Sequence, residues 1–554
     1  MKRQIILGAL FLIGGIGAQG QNVYDAANII NKDLSGTARF VGMGGAMGAL
    51  GGDISTIGTN PAGIGLFRSN DINTSFSFST LNTESKYNGS TFSTDKNRWD
   101  LNNIGAVFTT KIGDQGSLRY VNFGFNYQRS KSFYRNMNMA GDLGGMSQTF
   151  FMASASDKLY PSYWDNGNHY NNNDIGWLSA LGYDGYLINP SETTSITDYP
   201  LKDANGNQIK DKDGNPLFLN YDFFNSIVGN SAQVRDFHSR ERGGIDQYDF
   251  NVALNFNDRA YFGLTIGAYN VDYTKNTYYD EDFGNGEGYT LQSWNNISGT
   301  GFDFKLGTIL RPFEYSPLRI GLAIHTPVFY NLTLATSARM ESDVHASADA
   351  TNTTRHIIDT QNQLNGDMKM DFRINTPWKY NLSLGYTFGS NLALGAEYEY
   401  QDYSTTRFKD GDGNSKGVEN DEAKYAMKGV NTFRIGAEYK VIPEFAFRLG
   451  YNYTSAIFKK DAVKALPINS IQTDTDFANL QAMNTYTIGV GYRGSSFYAD
   501  LAYKYSIQKS DFYPFWYPED VVENGQIVRN LMSPDATKVK DSRSQVLLTL
   551  GFRF

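Results

Sequence analysis

Strict alternation of apolar and polar side chains is the feature that most limits what this chain can fold into. In the closing run QVLLTLGFRF, one face of an extended strand carries Val546, Leu548, Leu550, Phe552 and Phe554. The same period of two runs through residues 445–454 and 497–507. Alternation over about ten residues is typical of a transmembrane β-strand, whereas strands of soluble sandwiches usually alternate over about four to eight. The sequence therefore predicts an all-β transmembrane barrel.

The lengths of the connections favour the same fold. Very short turns alternate with long polar stretches, as periplasmic turns alternate with outer loops in such barrels. The pattern predicts about fourteen antiparallel strands, at residues 71–82, 100–111, 117–132, 245–257, 260–275, 299–311, 317–338, 366–388, 390–405, 428–441, 445–458, 483–494, 495–509 and 541–554. An even number places both ends of the barrel on the periplasmic side.

A secreted, soluble all-β protein is the alternative fold. Several of its strands should turn charged residues outward, but here most charges fall on the face opposite the apolar one. A basic start, an apolar run over residues 5–16 and small residues at 18 and 20 predict a signal peptide over residues 1–20. We therefore expect an integral barrel in the outer membrane of a Gram-negative bacterium, surrounded by outer-membrane lipid.

The lumen of the predicted barrel requires an additional segment of protein to fill it. About fourteen strands enclose a space too wide for the wall side chains to fill. Glycines, which permit close approach of another backbone, recur on the inward face at Gly263, Gly267, Gly307, Gly321, Gly385, Gly395, Gly436, Gly450, Gly489, Gly491 and Gly551. Residues 21–70 show no strand pattern. The sequence thus predicts an N-terminal hatch, or plug, at 21–70 inside a barrel formed by 71–554.

The glycine-rich run GMGGAMGALGGDISTIGTNPAGIG, at 42–65, does not fit other glycine motifs. Met47 stands where a dinucleotide-binding fingerprint needs its third glycine. Asp53 follows the last glycines where a phosphate-binding loop needs lysine. The Gly44-x-x-x-Gly48 spacing lies outside any apolar segment of membrane-helix length.

The run GTARFVGMGGAMGALGGDISTIGTNPAGIG resembles the N-terminal hatch of the FadL-type long-chain fatty acid transporters, a family that includes the TodX and XylN aromatic-hydrocarbon channels. The resemblance rests on the Ala-Arg-x-x-Gly-Met-Gly-Gly-Ala run at 38–46 and on Asp53. It also rests on the turn just before the first strand, formed by Asn60, Pro61, Ala62 and Gly63. The family's fourteen strands and terminal aromatic residue agree with the strand count and with Phe554.

The resemblance implies a passive channel for hydrophobic small molecules, either long-chain fatty acids or aromatic hydrocarbons, without a cofactor. In the family, the ligand enters at the outer loops and leaves sideways through an opening made by a kink in the third strand. Here the turn from Asn60 to Gly63 would be the gate of the hatch, and Gly124, between Phe123 and Phe125, would be the kink. An ordinary wall glycine is the alternative interpretation of Gly124.

Charged residues on the inward face allow two interpretations. They are Asp249, Asp303, Lys305, Glu397, Glu399, Arg434, Glu438, Arg448, Asp500, Lys504 and Arg553. Arg434 or Arg448 would meet a carboxylate if the set guides a ligand head group. The favoured alternative is that the charges pair with one another and anchor the hatch, because unpaired buried charges are unfavourable.

Motifs for catalysis and for metal binding are weak. The G-x-S-x-G match at 413–417 lies in a polar loop, and of the five histidines only His325 falls within a predicted strand. Residues 203–215 lack the glycine and glutamate positions of a calcium loop and are more typical of a hairpin. No Lys/Arg cluster indicates nucleic-acid binding. We therefore expect no catalytic residues, no metal site and no nucleic-acid partner.

An interaction role is the alternative function. The longest predicted loop, 133–244, carries Trp164, Trp177 and many tyrosines. Such a surface would suit a barrel that serves as a docking protein for a secretion system or a secreted partner. On that hypothesis the barrel does not transport a solute.

Overall fold

The computed structural model describes residues 20, 22–157, 159, 161–164, 167–193, 199–202, 207–210, 214–228, 232–345, 350–523 and 526–554. The predicted signal peptide lies outside these residues, except for Gly20. Part of the stretch at 203–215 also lies outside them.

The described residues contain strands at β1 Asp71–Tyr87, β2 Ser90–Lys111, β3 Leu118–Ser132, β4 Arg135–Asp142, β5 Ile188–Thr193, β6 Tyr199–Pro200, β7 Phe218–Ser226, β8 Gln233–Phe256, β9 Ala260–Gly284, β10 Glu287–Leu310, β11 Arg319–His325, β12 Phe329–His345, β13 Thr353–Asp359, β14 Met368–Asn375, β15 Lys379–Phe388, β16 Leu392–Asp402, β17 Arg407–Asp410, β18 Gly429–Ile442, β19 Phe445–Thr454, β20 Phe477–Arg493, β21 Phe497–Tyr513, β22 Tyr517–Glu523, β23 Gln526–Met532 and β24 Thr537–Arg553. The helices are α1 Val23–Ile30, α2 Ala38–Gly42, α3 Gln148–Ser156, α4 Pro161–Trp164, α5 Trp177–Asp184, α6 Thr360–Leu364 and α7 Gly417–Ala426. Short 3-10 helices lie at Ile54–Gly58, Pro61–Leu66, His169–Asn171 and Tyr403–Thr405.

The wall is a closed antiparallel barrel of 14 strands, as the alternation predicts. Four wall strands are interrupted: the third consists of β3 and β4, the seventh of β11 and β12, the eighth of β13 to β15, and the ninth of β16 and β17. The first strand, β1, pairs with the last, β24, and closes the wall. At this seam the backbones of Asn70 and Phe554 exchange two hydrogen bonds, at 3.1 and 3.2 Å.

The outer surface carries an apolar belt. On β24, Val546, Leu548 and Leu550 are exposed, whereas Leu547 and Thr549 between them are fully buried. The same alternation of exposed apolar and buried residues repeats on β9 and β19. An outward apolar band on a closed barrel is the lipid-contacting surface of an outer-membrane protein. None of the helices in the described ranges is both long and apolar enough to cross a membrane.

The predicted strands are accurate at the periplasmic end and too short at the outer end. β9 was expected at 260–275 and extends to Gly284, while β8 begins at Gln233 instead of 245. Beyond the membrane the outward face no longer needs apolar residues, so the period of two disappears from the sequence while the hydrogen-bonded ladder continues. The loop predicted at 133–244 is therefore wrong in its bounds: the outer connection spans 143–232.

The outer connections pack into a cap. Apolar residues of 143–232, of 455–476, of 514–516 and of α7 belong to one cluster, in which Trp177, Phe515 and Trp516 are almost completely buried. Val23 and Ile29 of α1 belong to the same cluster. The outer end of the barrel is therefore covered by folded protein with its own apolar core.

Candidate functional site

The N-terminal segment, residues 22–70, crosses the lumen from the outer end to the periplasmic end. Its α1 packs in the cap, its α2 lies against β20 and β21, and its 3-10 helix at 61–66 lies against β8, β9 and β10. The segment then leaves the barrel at Asn70, beside the seam. The space inside the periplasmic half of the wall is consequently occupied by this segment.

Inward glycines make room for the segment. Wall positions whose missing side chain would meet it are Gly263, Gly307, Gly321, Gly385, Gly395, Gly436, Gly450 and Gly489. At Gly263 a Cβ would collide with the backbone of Pro61, and at Gly436 with that of Met43. At Gly267 and Gly491 the nearest groups are instead charged wall side chains. The segment therefore packs backbone to backbone against the wall.

The turn at Asn60 joins the segment to the wall. The Asn60 side-chain amide donates hydrogen bonds to the carbonyls of Gly48, at 2.9 Å, and Thr308, at 3.1 Å. Its side-chain oxygen accepts from the backbone N–H of Ala62, which begins the 3-10 helix. Asn251, in β8, donates to the carbonyl of Pro61 at 3.2 Å. This turn is completely buried, so every one of these polar groups depends on its partner.

Ion pairs fasten the middle of the segment. Arg39, in α2, binds both carboxylate oxygens of Glu438 at 2.8 and 2.9 Å and donates to the carbonyl of Gly52. Arg448 pairs with the same Glu438 at 2.7 Å and with Asp500 at 2.6 Å. Burial raises the pKa of Asp53, although the nearby Arg39 opposes this. Arg448 thus has two carboxylate partners in the wall, and it lines neither of the two lumen cavities described below.

Arg434 has a different position. It pairs with Glu397 and, at 3.2 Å, with Glu399, but it also lines a lumen cavity. Lys305, in β10, likewise pairs with Asp249 in β8 and with Asp303 on its own strand. These inward charges therefore pair with one another, as the favoured interpretation of the sequence predicts.

The two lumen cavities lie beside the upper part of the segment, which lines both of them. The first, of about 160 Å³, lies beside α1 between β1, β3, β20, β21 and β24. The second, of about 120 Å³, is bounded below by Gly58 and Thr59 and reaches His325 and Arg434. Lys32 points into the second cavity, 4.1 Å from the centre of the Tyr269 ring. Burial, aided by nearby lysines, lowers the pKa of Lys32 to about 7.

No kink occurs at Gly124. The pairing of β3 with β8 runs unbroken from Tyr120 to Arg129, and Gly124 lies opposite Asn251. The side chains of Ile57 and Ile64 occupy the space in front of it. Gly124 is thus a wall glycine that accommodates the N-terminal segment, which was the alternative interpretation.

The wall ladder is interrupted between β3 and β4, farther along the same wall strand, and at two adjacent Thr-Pro steps on other wall strands. Thr326-Pro327 separates β11 from β12, and Thr376-Pro377 separates β14 from β15 on the neighbouring wall strand. Proline has no N–H to give to a ladder. Threonine hydroxyls instead accept from backbone donors at the break: the N–H of Val328 donates to the Thr376 hydroxyl at 2.8 Å, and the N–H of Phe304 donates to the Thr326 hydroxyl at 3.0 Å. The second cavity reaches this break at both threonines and at Pro377. Sequence reasoning missed the break, although two Thr-Pro steps inside predicted strands were its visible signal.

The histidines and acids of the described part of the chain were predicted not to form a metal site. No group of three potential metal ligands occurs there. His325 is in β11, as predicted, and lies 2.8 Å from the carbonyl of Thr59. His238, His345 and His356 lie in strands instead of the predicted loops, again because the strands extend beyond the membrane.

Comparison with known proteins gave no matching family model and no matching curated protein. Among solved structures, the chain is similar to a Pseudomonas aeruginosa FadL homologue, with 12% identity, 94% of this chain and 99% of that chain covered, and a TM-score of 0.48. It is also similar to the Pseudomonas putida toluene transporter TodX (11% identity, 94% and 99% covered, TM-score 0.46) and the Ralstonia pickettii toluene transporter TbuX (14%, 94% and 99%, 0.44). Similarity at this level of identity concerns the fold and does not identify a transported compound.

Proposed function

We propose that this protein is a passive outer-membrane channel for hydrophobic small molecules, which enter through the outer cap and leave sideways through the wall. The observation that carries the proposal is the position of the lumen cavities. They lie between the wall and the upper part of the N-terminal segment, and one of them reaches a break in the wall. Since the segment occupies the periplasmic half of the lumen, it acts as a plug against axial passage.

The cavity linings suit apolar cargo with a polar end. The first cavity combines Phe133, Leu480 and Phe512 with lysines and arginines from the wall. Burying apolar surface stabilises a bound ligand by about 0.8 kcal/mol per CH₂ group. A sideways exit would pass such a molecule into the membrane without placing it in water.

The Thr-Pro break is the exit that we infer, in place of Gly124. It lies level with Phe302 and Phe304, which are exposed in the apolar belt, and Thr326 hydrogen-bonds to Phe304. Few ladder hydrogen bonds have to open at this point because two prolines already interrupt them. Long-chain fatty acids and small aromatic hydrocarbons are both candidate cargoes.

Uptake by whole cells tests the channel. Cells with the protein should take up radiolabelled oleate or toluene faster than cells that lack it, at equal barrel abundance in the outer membrane. Equal uptake of both compounds in the two strains would reject the channel.

A docking role for a secreted partner is the second candidate, favoured by the outer sheet of β5, β6 and β7, on which Phe223 is exposed. The ends of this sheet meet where Ile227 donates to the carbonyl of Leu187 at 3.0 Å. Residues 188–226 are therefore replaceable by a short turn. Unchanged uptake after this excision supports the channel, whereas loss of a secreted protein without a change in uptake supports docking.

A further inference from the structure

One carboxylate of the N-terminal segment lies among three cations of the wall. Asp33, which follows α1, is 2.8 Å from Arg543 in β24 and 3.4 Å from Lys131 in β3. Lys504, in β21, donates a hydrogen bond to the backbone carbonyl of Leu34, the residue after Asp33, at 2.7 Å. The backbone N–H of Ser132 also donates to the Asp33 carboxylate, at 3.1 Å.

This group holds more positive than negative charge. Among the described residues, Asp33 is the ion-pair partner of both Lys131 and Arg543. The neighbouring Arg135 forms ion pairs with Glu241, at 3.2 Å, and with Asp541, at 3.0 Å. Three cations therefore share one carboxylate in a partly buried place, where a further anion would be stabilised.

The cations open onto an apolar space. Lys131, Lys504 and Arg543 line the first cavity together with apolar side chains of several wall strands and loops, namely Leu81, Phe133, Leu480, Met483 and Phe512. The cavity holds about 160 Å³, less than the roughly 300–1,000 Å³ of ordinary ligand pockets. A longer ligand would consequently need the segment beside it to move.

Asp33 lies in a part of the segment without regular secondary structure. Residues 31–37, between α1 and α2, contain no helix or strand. The backbone N–H of Asp33 donates to Ser130 at 2.9 Å, and its carboxylate makes the ion pairs described above. Displacement of this carboxylate would release the connection between the cap and the lower half of the segment.

We propose that Lys131, Lys504 and Arg543 form a binding site for the carboxylate head of an amphiphile, and that Asp33 occupies this site until a ligand replaces it. The proposal rests on the proposed channel function and adds the head-group class and the step that loosens the plug. The chain thus contains its own competitor for the ligand. Because ligand and Asp33 exclude each other, binding energy is used to release residues 31–37.

The charge state of Asp33 supports this competition. Burial raises its pKa, but Lys131, Arg543 and Lys504 outweigh burial and hold the pKa well below its usual range. Asp33 is therefore an anion at neutral pH, like the ligand that it would mimic.

Binding of oleate and of its uncharged methyl ester to purified barrels in a non-ionic detergent tests the site. We expect Asp33→Asn to bind oleate about tenfold more tightly than the unaltered protein and Arg543→Gln to bind it about tenfold more weakly. Methyl oleate should bind equally to all three. Lys538→Gln is the matched control, since Lys538 lies on the same strand but is exposed and pairs with Asp511 outside the lumen. Heat-modifiable migration in electrophoresis confirms that each barrel is folded.

A second readout follows the segment itself. The chain contains no cysteine, so Ser35→Cys provides a unique thiol within residues 31–37. Oleate should accelerate its reaction with a maleimide, and methyl oleate should not.

The outcomes separate this site from the channel. Unchanged oleate affinity in Asp33→Asn, or equal shifts for acid and ester, would overturn the carboxylate site while leaving the channel intact. Failure of the unaltered protein to bind either compound would overturn both.

Discussion

The side-chain amide of Asn60 and the backbone carbonyl of Thr308, 248 positions apart in the sequence, are joined by a hydrogen bond of 3.1 Å. The bond ties the lowest turn of the N-terminal segment to β10, and the Asn60 side chain is completely buried. The N-terminal segment is therefore held by directed polar contacts as well as by packing, and changes at this point should affect the segment more than the wall.

Replacing Asn60 by alanine should loosen the plug. The carbonyls of Gly48 and Thr308 and the N–H of Ala62 would lose their partner, at about 1–3 kcal/mol per buried group left unpaired. Hydrogen exchange over residues 42–66 should accelerate while heat-modifiability of the barrel stays unchanged. Ser69→Ala, at an exposed position of the same segment, is the control. Unaltered exchange would show that packing alone holds the turn.

A charge on the belt should destabilise the wall. Leu449 is 64% exposed on the outer face of β19, so Leu449→Arg should cost about 2–4 kcal/mol near the membrane midplane. Unfolding in urea, in lipid vesicles, measures the effect. Leu449→Ile keeps the surface apolar and should change little. Similar losses in the two variants would mean that this face does not contact lipid.

Closing the Thr-Pro break should slow release. The double variant Pro327→Ala, Pro377→Ala supplies two N–H donors that the interrupted ladder lacks. We expect lower uptake of oleate or toluene at unchanged surface abundance, and a barrel at least as stable. Pro312→Ala is the control. Pro312 lies in a periplasmic turn, where its carbonyl accepts a hydrogen bond from Arg259, and its replacement should not alter uptake. If the double variant transports normally, the exit lies elsewhere.

The stability of the cap should fall as the pH rises. Burial, with a contribution from Glu419, raises the pKa of Glu422 in α7 from 4.5 to about 8. Between these values the unfolded cap releases a proton that the folded cap retains, so folding weakens by about 1.4 kcal/mol per pH unit for one such group. Above the pKa of Glu422 in the folded cap, both states have lost the proton, and this group no longer makes the stability depend on pH.

Hydrogen exchange over residues 457–476, corrected for intrinsic rates, measures the opening of the cap at pH 5.5 and 7.5 (about two units apart). Glu422→Gln keeps the acceptor for the Ala465 N–H and should remove the difference. Asp421→Asn, on the exposed side of the same helix, should retain it. A difference that persists in Glu422→Gln assigns the pH dependence to another group.

The sequence predicts the membrane part of the wall well and its outer part poorly. At Val546 and Leu548 lipid requires apolar side chains and the lumen requires small or polar ones, so the register can be read directly. At Glu281, in the outer part of β9, the carboxylate points inward and accepts hydrogen bonds from Tyr279 and Tyr289. Its strand neighbours face water, so both faces are polar and the pattern vanishes.

The candidate site shows a different limit. The period of two places Lys504 on the inward face, but nothing in the sequence connects it with Asp33, Lys131 and Arg543. Those neighbours come from the N-terminal segment and from two other strands, and only closure of the barrel brings them together. Arg434 and Arg448, chosen from the sequence as head-group contacts, already have carboxylate partners on adjacent strands.

The seam between β1 and β24 also determines when this protein can finish folding. Asp71 meets Arg553 across 482 positions, so closure pairs the first strand to be synthesised with the last. Contacts of such long range form slowly, and until they form both edge strands present unpaired backbone groups that invite aggregation. The wall of this barrel can therefore close only after β24 has been synthesised and has reached β1.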